Sequence, residues 1–152
     1  HPSISTMHAD SVDSMIRRLE TPPIELSPTL VNSLDCVAIM THAIVGKKET
    51  RRLREVVEIV NVKKDGSALV NTPFVWNPEQ DSFYFKKESK VLEKISARYG
   101  IPIPELQKEF VRRTKLIYTL YQKKIFGFDE MKKIVNDYYK NPENVLRQYG
   151  IE

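Results

Sequence analysis

The sequence predicts an α+β fold: a short antiparallel β-meander flanked by an N-terminal helix and a helical C-terminal lobe. Three observations point there. Apolar, β-branched runs between residues 36 and 85 are punctuated by the turn signals Asp65-Gly66 and Asn77-Pro78. Before them lies one amphipathic helical segment, and from Lys86 onward the apolar period becomes helical. The 152 residues, 41% hydrophobic and 29% charged, suit one ordinary domain or two small ones and argue against disorder. The expected organisation is an N-terminal piece over 1–86 and a helical subdomain over 87–152.

In DSVDSMIRRL the apolar residues Val12, Met15, Ile16 and Leu19 fall at i, i+3, i+4 and i+7, one face of a helix. Asp10 or Ser11 can accept its first free N–H groups. Thr21-Pro22-Pro23 stops it, because proline removes a donor and restricts the residue before it. Ser27-Pro28 restarts a short helix, with proline tolerated at the first position. The run CVAIMTHAIV reads as a strand buried on both faces. After the turn-like GKK, TRRLREVVEIVNV gains strand character in its second half, Asp65-Gly66 marks a hairpin, and SALVNTPFVW and DSFYF complete the meander.

KKESKVLEKISARYG should end at Gly100, with Pro102 just beyond. PELQKEFVRRTKLIYTLYQKK carries Leu106, Phe110, Ile117 and Tyr121 along one stripe, and its tyrosines read as core residues. FDEMKKIVNDYYK carries Met131, Ile134, Val135 and Tyr138, and Asn141-Pro142-Glu143 reads as the cap of a last short helix.

Little of this resembles a complete catalytic site. Cys36, the sole cysteine, lies in an apolar run and reads as a small core residue rather than a reactive thiol. Of the histidines His1, His8 and His42, the last reads as a satisfied core or sheet residue. A nucleophilic pair of Cys36 and His42 fails, since six strand residues separate them by roughly 20 Å. No zinc-ligand spacing appears. No apolar run approaches the ~18–20 residues that span a bilayer, so any membrane contact is expected to be peripheral or through a partner. The net charge of +4, with a pI near 9.1, mildly favours anionic partners. KKETRRLR, Lys47 to Arg54, is the densest basic feature, readable as a solvated hairpin end or as a surface for phosphate or an acidic neighbouring subunit. A stand-alone module binding nucleic acid or a protein partner through Lys47–Arg54 is thus an alternative. It lacks the usual reading motifs and aromatics interleaved with its basic residues, so nucleic acid is not the expected partner. There is also no G-x-x-x-x-G-K-[ST] loop to cradle nucleotide phosphates.

The opening H-P-S-I-S-T-M-H-A resembles the histidine box of the secretion ATPase superfamily, approximately G-H-x-x-x-S-T-x-H-A, with His1, Ser5, Thr6, His8 and Ala9 in register. These are the hexameric motors of type II and type IV secretion, type IV pili and the archaeal flagellum. S-V-D-S-M-I-R-R-L resembles the family's next helix, SLDCVAIM the strand after it, and RRLREVVEI a later strand of R-x-x-E-V-x-E-I character, closest to the archaeal branch. The likeness covers roughly residues 1–85 and is looser over the helical tail.

The resemblance implies the C-terminal part of a RecA-like motor domain, with the phosphate-loop half lying upstream of the histidine box. It implies ATP and Mg2+ as ligands of the intact protein, none being expected in this portion alone. It further implies a homo-hexamer, an integral-membrane platform protein as partner, and a cytoplasmic location at the inner face of the membrane. His8 is then the catalytic candidate, sensing the γ-phosphate, with His1, Ser5 and Thr6 near the nucleotide. Arg17, Arg18 and Arg52 are candidates for subunit or phosphate contacts, and no metal ligands are assigned. The local pattern agrees, since His8 is expected where a short strand, ISTM, meets a helix N-terminus, a place suited to an anion. With the rest of its sheet upstream, segment 1–45 would expose apolar surface and favour self-association.

Overall fold

The computed structural model describes residues 3–151. The fold is α+β, and its packing divides the chain after Lys94 into two units.

In the first unit, helix α1 (Val12–Glu20) is capped by Ser11. Its hydroxyl accepts the Ser14 N–H, while the Ser14 hydroxyl accepts the Ser11 N–H. A 3-10 helix (Pro28–Ser33) follows. Four strands form an antiparallel meander in sequence order: β1 (Cys36–Val45), β2 (Lys48–Val62), β3 (Ala68–Asn77) and β4 (Ser82–Phe85). β2 is a strand over its whole length, not only in its second half.

Alternation along the strands decides the core. Ile39, Val57 and Ile59 point to one face and pack with Val12, Met15 and Ile16 of α1 and Val31 of the 3-10 helix. Asn32 extends the sheet with its side chain: its amide oxygen accepts the Val62 N–H at 2.6 Å and its amide nitrogen donates to the Val62 carbonyl. At the β2–β3 turn, Gly66 takes φ +79°, as the Asp65-Gly66 signal requires.

Strand β1 corrects the expectation of burial on both faces. It is an edge strand, and only one of its faces meets helices. Cys36, Ala38, Met40, His42 and Ile44 lie on the other face and are exposed. Cys36 is therefore not a core residue, and His42 is a sheet residue open to solvent. The ISTM segment is likewise not a strand, since residues 3–9 have no regular structure.

On the face opposite α1, β2 presents Glu58, 3% exposed. Its carboxylate accepts hydrogen bonds from Asn71 Nδ2 at 2.8 Å, the Lys90 N–H at 2.7 Å and the Ser89 hydroxyl. It thereby caps helix α2 (Lys90–Tyr99), whose first turn belongs to this unit. Lys94 Nζ also donates to the Ile59 carbonyl. Burial by itself pushes the Glu58 pKa up. The donors from Ser89, Asn71 and the Lys90 and Val91 amides outweigh it and hold the group below its ordinary 4.5.

The second unit contains helices α3 (Ile103–Gln122), α4 (Phe128–Lys140) and α5 (Pro142–Gln148). Asn141 caps α5 by accepting the Asn144 N–H. Leu116, Leu120, Ile134, Tyr138, Val145 and Leu146 form its core. The expected α3 stripe is corrected by one row. Phe110, Ile117 and Tyr121 are exposed, as is Tyr118, because Leu116 and Leu120 in the neighbouring row pack with α4 and α5. Among the described residues no helix is long and apolar enough to cross a membrane.

Glu58 yields a pH prediction. Its folded pKa lies below the unfolded 4.5, so its contribution is complete above that pH and is lost as pH falls through the folded value. Glu58→Gln should cost about 1–3 kcal/mol at neutral pH, because the remaining donors lose a charged acceptor. Melting temperatures between pH 6 and 3 check this, as the wild type should lose more stability on acidification than the variant. Equal acid slopes would contradict the assignment.

Candidate functional site

The histidine-box residues lie on a strap, residues 3–10, that runs exposed into α1. Two arginines hold the end nearest the helix. Arg18, on the last turn of α1, donates to the His8 carbonyl, and Arg54 Nη2, on β2, donates to the Asp10 carbonyl at 2.8 Å. Arg54 also pairs with Glu55 at 2.8 Å. Asp10 accepts the Ser14 hydroxyl at 2.7 Å, and that bond, with the backbone, draws its carboxyl below the usual range. These contacts fix the backbone from His8 to Asp10. The side chains of Ser5, Thr6 and His8 are left exposed, with no hydrogen-bond partner among the described residues. His1 lies outside the described residues. The N-cap role falls to Ser11, which leaves the His8 imidazole free of that duty.

The three arginines singled out from the sequence have three different situations. Arg18 is the strap clamp just described. Arg17 lines a groove of about 380 Å³ between α1 and the β2–β3 turn, with Asp13, Glu20 and Asp65 among its neighbours. Arg17 makes no ion pair among the described residues. Arg52 is engaged inside the chain: Nε and Nη2 grip both Asp81 oxygens at 2.7 and 2.8 Å. Trp76 Nε1 donates to the same carboxylate at 2.9 Å. Arg52, then Trp76, pulls the Asp81 pKa down to about 2. With Arg52 and Arg54 so occupied, the basic hairpin offers Lys47, Lys48 and Arg51 to solvent.

Cys36 and His42 share the open face of β1. Partial enclosure of the thiol, with Asp35 and Glu58 nearby, raises its pKa and keeps it a thiol. Among the described residues no group of three or more His, Cys, Asp or Glu side chains is placed to hold a metal ion.

Two clusters escaped the sequence reading, those of Glu58 and Asp81. Glu58 had a signal of a kind, as a lone acid flanked by Val57 and Ile59 in an apolar stretch. Asp81 had none, because its partners lie 29 residues upstream and five residues before it.

No family model matches the chain. It is similar to three proteins of Methanocaldococcus jannaschii. The uncharacterized protein MJ1287 is 30% identical over 139 residues, 91% of this chain and 51% of the relative. The uncharacterized protein MJ0900 is 30% identical over 146 residues, 92% of this chain and 26% of the relative. The uncharacterized protein MJ0781 is 27% identical over 143 residues, 93% of this chain and 20% of the relative. The chain thus spans about half the length of the first of these relatives, about a quarter of the second and a fifth of the third, and each likeness takes in both of its units.

Proposed function

We propose that this chain is the C-terminal portion of a secretion-type motor ATPase, a homo-hexamer that powers protein export or the assembly of a pilus or archaeal flagellum. One observation carries the reading. His8 of the histidine-box pattern stands where an exposed strap is clamped by its backbone, at the His8 and Asp10 carbonyls, while its side chain and those of Ser5 and Thr6 remain exposed. A sensor needs that combination of fixed position and open donor. Similarity to stretches of longer proteins fits a portion that works together with other sequence.

In this reading α1 and the sheet form part of a RecA-like motor domain. His8 donates an imidazole N–H to a γ-phosphate oxygen, and that contact is broken when the phosphate leaves. The residues at hand fit the edge of a phosphate site and no more. The sequence includes no phosphate-cradling loop, and among the described residues no group of three or more His, Cys, Asp or Glu side chains is placed to hold a metal ion. Mg2+, where bound, supplies neutralisation of phosphate charge. Arg18 acts here as a positioning residue, holding the His8 backbone. The motor would work at the inner face of the membrane, passing its motion to an integral-membrane platform protein.

The intact parent protein gives the test. His8→Ala should lower kcat for ATP hydrolysis about 10²-fold, the usual cost of one lost transition-state donor, with nucleotide affinity little changed. An unaltered kcat would remove the sensor role. The 152-residue chain by itself should show no turnover, and steady hydrolysis by it, abolished by His8→Ala, would sink the partial-motor reading.

A further inference from the structure

Strand β1 is a sheet edge with unusual properties. The opposite edge, β4, is short at four residues, whereas β1 has ten. Sheets blunt their edges with short strands, charges, prolines or bulges, because unpaired N–H and C=O groups invite another strand. Among the described residues β1 pairs with β2 alone, and it contains no proline, lysine, arginine or carboxylate. The bulge at Ile39/Met40 places the extra residue, Arg54, on β2, so β1 itself stays regular. Its open face carries Met40 and Ile44, 59% and 76% exposed.

The charges at its two ends specify what fits there. Asp35 precedes the strand, its carbonyl tied to the Ile59 N–H at 3.1 Å. Lys47 follows it in a tight turn, where Gly46 and Lys47 both have positive φ, as a two-residue hairpin demands. Neither side chain has a salt-bridge partner among the described residues. We infer that β1 pairs antiparallel with β1 of a second copy of this chain about a two-fold axis at Thr41, joining two four-stranded sheets into one. In that register each Asp35 lies opposite Lys47 of the other copy, so both ends carry opposite charges. On the open face Ala38 meets Ile44, and Met40 meets His42. Parallel pairing would set Asp35 against Asp35. A one-residue slip would turn the core face outward, and a two-residue slip loses the charge match. The inference rests on the edge and its charges, not on the nucleotide reading.

Light scattering on the 152-residue chain should show a concentration-dependent species of twice 17.7 kDa. Asp35→Lys should weaken it about ten-fold, since two cross-strand ion pairs become repulsions. Lys47→Asp should do the same, and the double exchange Asp35→Lys/Lys47→Asp should restore it. In a Cys36→Ser background, Thr41→Cys should form an intermolecular disulfide on mild oxidation, while Ile44→Cys, which faces Ala38, should not. A monomer at every concentration overturns the inference. So does a dimer indifferent to the charge exchange and not cross-linked through position 41, for such a dimer uses another surface.

Discussion

The carboxylate of Glu58 ties β2 to β3 and to the start of α2 in one buried cluster. It leaves β2 on the face away from α1, is shut off from water, and gathers donors from β3 and from the start of α2. A buried carboxylate without donors would neutralise or unfold its surroundings. Here the donors arrive from two chain segments remote in sequence, so the charge is tolerable only when both are in place. That makes the β2–β3 pairing and the docking of α2 conditional on each other. Because the helix start supplies backbone N–H groups otherwise lacking partners, each side resolves the other's unsatisfied polarity.

Much of the fold was legible because the signals were local. The α1 face, the Asp65-Gly66 hairpin, the stop at Gly100 and the Asn141 cap each depend on residues within a turn of one another. What failed depended on neighbours remote in sequence. CVAIMTHAIV has the composition of a doubly covered strand, but strand order makes it an edge and leaves Cys36 and Met40 outside. On α3 two apolar rows compete, and local periodicity does not rank them. Helices α4 and α5 select Leu116 and Leu120 over Ile117 and Tyr121.

The candidate site divides the same way. The spacing of Ser5, Thr6 and His8 was readable as a pattern, and so was their position just ahead of a helix. The clamps were not, since Arg18 reaches back ten residues to the His8 carbonyl and Arg54 forty-four to that of Asp10. Arg52 shows the converse. Its place in a basic run suggested an outward role, while the structure spends its two-pronged guanidinium on Asp81, at the close of the β3–β4 turn.

The strap is gripped by its carbonyl oxygens, and every amino acid has one. The clamp is therefore blind to which side chains the strap displays. Substitutions at Ser5, Thr6 or His8 change the chemistry on show without changing how it is mounted, whereas a change at Arg18 or Arg54 alters the mount and leaves the chemistry intact. Evolution could retune the displayed groups and the scaffold independently, with the two meeting only at the backbone.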